Sequence, residues 1–155
     1  MLQDEASDLA TFTIFVRDAE PRLRQALTAT LGSQLAVDAT ADALVYGWEH
    51  WARVRTMDNP VGYLYVIGRN RARRVLRQRP VLYEPPRTSA PMVEPGLVDA
   101  VRSLPDRQRI TVMLLHCFEW TMPEVAELLG VKKTTIQNHA ERGMARLRRA
   151  LGVDR

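Results

Sequence analysis

Thr121-Met122-Pro123-Glu124-Val125-Ala126-Glu127-Leu128-Leu129-Gly130-Val131-Lys132-Lys133-Thr134-Thr135-Ile136-Gln137-Asn138 is the stretch on which the fold turns. Thr121 and Glu124 have the spacing of a capping box: the threonine side chain accepts from the Glu124 amide, the glutamate reaches back, and a short helix begins. Ala126, Gly130 and Ile136 follow at the spacing of a helix-turn-helix. They supply a small residue where two helices cross, a glycine free to turn left-handed, and an apolar anchor for the next helix. Val125, Leu129 and Val131 complete the local core. In the second helix Ile136, Ala140, Met144, Leu147 and Leu151 keep one apolar face, which turns Lys132, Lys133, Thr134, Gln137, Asn138 and Glu141 outward. Gln and Asn pair with adenine edges, Thr touches a thymine methyl, and the two lysines neutralise phosphates beside the positive helix end.

Upstream of this hairpin, Leu97 to Leu104 predicts a short helix, and Pro105 opens another through Cys117. Cys117 is the single cysteine and stands in an apolar run, so a small buried thiol is expected, with no internal disulfide. Five of the nine prolines fall between Pro80 and Pro95. Each removes a backbone donor and resists helix, so residues 79–95 read as an extended linker. Before it, Phe12, Phe15, Val16, Ala19, Leu23, Ala26, Leu27 and Leu31 recur at three- and four-residue steps, an amphipathic helix that Gly32-Ser33 ends. A second helix is expected from about Asp38, and its pattern fails in Arg53-Val54-Arg55-Thr56-Met57, where a loop is expected. Asp58 or Asn59 then caps a third helix that has Pro60 in its first turn and runs to about Gln78. Gly47 and Gly68 lie inside these helices at a cost of about 1 kcal/mol each, for which close helix packing is the expected reason. Neither half alternates as strands do. The expectation is an all-α chain of two small helical domains, 1–78 and 96–155, joined by the proline-rich linker.

The formal net charge is only +4, from 22 basic and 18 acidic residues, but the charges are segregated. Residues 1–20 carry five acids and one base, residues 69–79 six arginines and no acid, and Arg142, Arg146, Arg148 and Arg149 cluster near the other end. Of the basic residues 20 are Arg, whose planar fork grips phosphate and stacks on bases. Two separate arginine clusters point to nucleic acid. No Gly-rich phosphate loop, nucleophile elbow or paired catalytic carboxylates appear, so an enzyme is not expected. His50, His116 and His139 lack neighbours at ligand spacing, so neither a metal nor another cofactor is expected. No apolar run reaches the roughly 20 residues of a membrane span, and no targeting signal is visible at Met1-Leu2-Gln3-Asp4-Glu5, so a cytoplasmic location without membrane insertion is the expectation.

These features together resemble the extracytoplasmic-function (ECF) sigma factors, within the sigma-70 family of bacterial RNA polymerase specificity subunits. Asp38 to Trp48 looks like the family's polymerase-binding helix. Asp58-Asn59-Pro60-Val61-Gly62-Tyr63-Leu64-Tyr65-Val66-Ile67-Gly68-Arg69-Asn70 looks like the loop and helix of region 2 that engage the promoter element nearest the start site. Leu104 to Arg109 and Trp120 to Leu147 are similar to region 4, which reads the distant element. The resemblance implies a protein that binds core polymerase, at its β′ coiled coil and β flap, and directs promoter recognition and melting. Asp38, Asp42, Leu44, Val45, Trp48 and Glu49 would then face polymerase. Arg53, Arg55, Asp58, Asn59, Tyr63, Tyr65, Arg69, Asn70, Arg73, Arg74 and Arg77 would serve the proximal element and melting. Lys132, Lys133, Thr134, Thr135, Gln137, Asn138, His139, Arg142 and Arg146 would serve the distal one. Family habit adds an anti-sigma factor as a partner. Lys132 stands where the family usually has Ser or a similar cap, and Tyr63 where Trp is commoner, so base preferences do not carry over. Two other readings stand beside this one: a LuxR-type regulator, whose recognition helix Thr135 to His139 also resembles, and a degenerate sigma-like interaction protein that does not open DNA.

Overall fold

The structure, a computed structural model, describes residues 1–78 and 96–153; the expected linker, 79–95, lies outside them. Among the described residues the chain is all helical. Its elements are α1 (Leu2–Leu31), α2 (Ser33–Glu49), α3 (Trp51–Val54), α4 (Pro60–Gln78), α5 (Leu97–Arg102), α6 (Asp106–Val112), a π-helical turn (Met113–Cys117), α7 (Met122–Leu129) and α8 (Lys133–Ala150).

α1 starts ten residues before the first residue of the apolar pattern. Its opening turns bury little, with Leu9 57 % exposed, so no periodicity betrays them; Asp4 and Glu5 in the first turn suit the helix dipole instead. Gly32, at φ 86°, makes the whole corner, and its amide bonds to the Thr28 carbonyl at 2.9 Å. α2 therefore begins at Ser33, not near Asp38. Its buried face is Ala36, Ala39, Thr40, Ala43 and Gly47, small residues that bring the backbones of α1, α2 and α4 close together. A Cβ on Gly68 would lie 2.9 Å from the Ala39 carbonyl oxygen, and one on Gly47 3.1 Å from Leu64, so close packing does account for both glycines. The expected loop at 53–57 is shorter at its start, because Trp51 and Val54 are buried and hold one helical turn. Asn59 caps α4 as the sequence predicts, its Oδ1 accepting from the Gly62 amide at 3.0 Å.

In the second half Gly130 turns left-handed (φ 66°) and the capping box at Thr121 forms with both bonds present. Cys117 departs from expectation: it is exposed. The wide π-helical turn buries Leu114 and swings His116 and Cys117 outward. The two sets of helices also meet. One apolar cluster runs from Leu23, Leu27 and Tyr65 to Ile110, Leu114, Trp120 and Val125. Arg22 pairs with Glu124 and lies 4.5 Å over the Trp120 ring, while the Trp120 indole N–H donates to Gln25 Oε1 at 2.8 Å. Arg109 donates to the Ala29 and Thr30 carbonyls at the end of α1.

Candidate nucleic-acid interface

α8 owes its position to three buried side chains and one missing one. Ile136, Ala140 and Leu147 face inward, and between them Gly143 lets α6 approach: a Cβ there would come within 2.7 Å of Val112. The sequence carried that signal, a small residue on the same face as Ala140 and Leu147, yet it was not among the expected core positions. With this face fixed, Lys132, Lys133, Thr134, Gln137, Asn138, Glu141, Arg142 and Arg146 are exposed, and Thr135 and His139 are half-buried. Gln137 Nε2 donates to Glu141 Oε1 at 3.3 Å. Burial, reinforced by the charges of Arg107 and Arg142, holds His139 below its ordinary pKa and so favours its neutral ring. A neutral imidazole keeps one donor and one acceptor.

α4 is arranged otherwise. Tyr65, expected at the DNA surface, is fully buried, and its hydroxyl bonds to Thr30 Oγ1 at 2.7 Å. It is a core residue, because α4 is covered by α1 and α2 along that flank. Arg69 is half-buried, with its guanidinium 5.5 Å from the Tyr65 ring centroid and its Nε buried without a partner. The expected arginine stripe therefore runs outward only from Arg73, half-buried, through Asn70, Arg74 and Arg77, exposed. In the preceding loop Arg55 pairs with Asp8 at 3.0 Å, Asp58 is exposed, and Asn59 Nδ2 donates across to the Glu127 carbonyl of α7 at 2.8 Å.

A second group sits beside that loop. Arg53 donates to the hydroxyls of Tyr46 and Tyr63, each at 2.8 Å, and the hydroxyls lie 3.1 Å apart. The shared bond and Arg53 lower the pKa of Tyr46, while the same bond and burial raise that of Tyr63. Tyr46 and Arg71, whose guanidinium lies 5.3 Å from the Tyr46 ring, were not among the expected site residues.

On α2, Asp38, Asp42, Val45, Trp48 and Glu49 are exposed and Leu44 is half-buried. Val37, 61 % exposed, extends that face; its spacing to Ala41 and Val45 was legible, but it preceded the expected helix start. Among the described residues no cluster of His, Cys, Asp and Glu could hold a metal ion, and no helix is long and apolar enough to cross a membrane.

Residues 96–147 match the family model for sigma-70, region 4. No curated protein sequence matches the chain. Among solved structures, the sigma factor RpoE in complex with the anti-sigma factor NepR from Bartonella quintana is similar at 23 % identity and a TM-score of 0.66, over 94 % of this chain and 99 % of that one. The RsbN–BldN complex is matched at 17 % identity and a TM-score of 0.39, over 95 % and 96 % of the respective chains. Over residues 96–147 the chain is thus similar to sigma-70, region 4, and its fold as a whole is similar to that of a solved sigma factor.

Proposed function

We propose that this chain is an ECF-type sigma factor that binds core RNA polymerase and reads a promoter at two places. The observation that carries this reading is the α7–α8 hairpin within the region 4 match: a left-handed glycine at 130 and a capped α7 hold α8 so that Lys133, Thr134, Gln137 and Asn138 stand out together. In the division of labour we propose, residues 96–153 read the distal element and residues 1–78 serve polymerase binding and the proximal element. The lysines and Arg142 and Arg146 neutralise phosphates while Gln137 and Asn138 read base edges. The exposed mixture of acids and apolar side chains on α2, from Val37 to Glu49, is the polymerase-docking face.

Asn59 cannot serve a promoter base while its side chain is tied at one end to α4 and at the other to α7. Engagement on polymerase therefore parts α7 from the start of α4. An anti-sigma factor that keeps them together is the second partner we propose, supported by the complex in which the similar fold was solved. Run-off transcription with core polymerase and the purified chain tests the reading: initiation at defined genomic sites is expected, and initiation no different from core polymerase alone would overturn it.

A further inference from the structure

We propose that the cleft between the α1–α2 corner and α5 binds a small amphipathic anion, an apolar body ending in a carboxylate, and that the bound molecule holds the two sets of helices together. The binding stands on the cleft alone, and its consequence for activity rests on the sigma-factor reading. The cleft has a volume of about 580 Å³, within the roughly 300–1,000 Å³ usual for small-molecule sites. Its two walls come from different halves of the chain. One is the end of α1 with the Gly32 corner, including Leu31; the other is α5 with the π-helical turn, including Leu97, Val98, Val101 and Met113. Val98 is 44 % exposed, so the second wall leaves apolar surface open to water. The charge of the lining has one sign. Arg102 and Arg109 line the cleft and no Asp or Glu does, whereas the cleft beneath α7 has Asp58, Glu124 and Glu127, and the one beside Trp48 has Glu5, Asp8 and Glu49. Arg109 is already committed: it pairs with Asp106 at 3.0 Å and donates to the Ala29 and Thr30 carbonyls at 3.4 and 3.2 Å. Arg102 is exposed and makes no ion pair among the described residues. It stands one turn beyond Val98 on the same face of α5. An apolar wall that ends in a free guanidinium fits a molecule of the same pattern. The apolar body leaves water against Leu31, Val98 and Met113, and the head accepts from the Arg102 fork, which matches a carboxylate in two places. One free cation balances one negative charge, which selects a carboxylate over a doubly charged phosphate. Because each wall belongs to a different set of helices, a molecule touching both binds the joined arrangement and stabilises it by mass action.

Cys117 lines the same cleft, is exposed and is the only cysteine of the chain, so its rate of alkylation by iodoacetamide reports occupancy. Dodecanoate below its micelle-forming concentration is the probe, with dodecyltrimethylammonium and dodecanol carrying the same tail on a cationic and a neutral head. With the full chain, dodecanoate should slow alkylation saturably and raise the urea midpoint. The other two should protect about tenfold more weakly or worse, as loss of a charge-assisted bond requires. Arg102→Gln and, separately, Val98→Asp should each raise the dodecanoate concentration for half-protection by about tenfold or more; both positions are exposed, so the fold is kept. Equal protection by the three probes, protection untouched by Arg102→Gln, or no protection at all would each overturn the proposal. Protection that follows protein concentration and not dodecanoate would give the cleft to a second copy of the chain, and would overturn it too. In run-off transcription with core polymerase, a protecting dose of dodecanoate should lower initiation by the unaltered chain and lower it less with Arg102→Gln. Initiation unmoved by such a dose would overturn the holding of the two sets. No initiation without dodecanoate would remove the sigma-factor reading alone, because protection and the urea midpoint are read without polymerase.

Discussion

α4 and α8 are the two helices expected to meet DNA, and they differ in how their neighbours are arranged around them. α8 packs on α5, α6 and α7 along one face and leaves the other open, so its apolar and polar positions separate cleanly. α4 is wedged between α1, α2 and α7. Its polar residues survive only on two narrow flanks, and Tyr65, which the family resemblance placed at the promoter, lies inside with Leu64 and Gly68. A reading face can be inferred from periodicity when a helix has one buried side, and not when it has three.

The sharpest way to break this contrast is through stability. Tyr65→Ala should cost about 3–5 kcal/mol in urea denaturation, as buried aromatic truncations do, while Thr134→Ala on the open face of α8 should stay within about 0.5 kcal/mol. If Tyr65→Ala left stability intact and weakened promoter binding alone, α4 would be an open reader like α8. A step smaller is the contact between the two helix sets. Gln25→Ala leaves the buried Trp120 indole without its acceptor, which should cost about 1–3 kcal/mol. Fluorescence energy transfer between labels on α2 and α8 should fall in that variant, as the sets part more readily. On α8 itself, Gln137→Ala or Asn138→Ala should shift preference at one position of the distal element by about 1–3 kcal/mol. Equal losses on all sequences would make these residues positioners. Arg73→Gln with Arg77→Gln should reduce the slope of log affinity against log salt by about 0.9 per lost phosphate contact, with no change in sequence preference.

What could be read in advance follows the same division. The helix-turn-helix was legible because each of its devices is local: the Thr121–Glu124 box, the glycine at 130, and the run of apolar positions from Ile136. The start of α2 was not, because it is buried through alanines that make no periodic signal. Gly47 and Gly68 were legible as anomalies whose cause, close packing, the structure supplies. Cys117 misled because an apolar run implies burial only while the helix keeps its period, and here a π-helical turn shifts the register. The two sets join through a shared apolar core and through polar contacts of Arg22 and Gln25 with Glu124 and Trp120, residues far apart in the chain, and no sequence pattern announces such pairs.

His139 gives the smallest expected effect and the finest comparison, since it lies on the helix with the open face, α8, yet touches its buried side. Burial comes first among the causes that lower its pKa, followed by Arg107 on α6 and Arg142 one turn along α8, all of which oppose the imidazolium. No acid faces it among those causes. The folded state therefore holds fewer protons than the unfolded chain below the ordinary histidine pKa of about 6.5. Stability contributed by the neutral ring is fully present above that value and declines as pH falls below it, levelling off once the folded pKa is passed. The group is only half-buried, so the decline is modest. In urea titrations between about pH 7.5 and pH 5, His139→Gln should flatten the histidine-dependent part of the profile while leaving the value at the upper end nearly unchanged. A profile that His139→Gln does not alter would mean that the ring gains its proton without cost, and that α8 is as open at His139 as it is at Asn138.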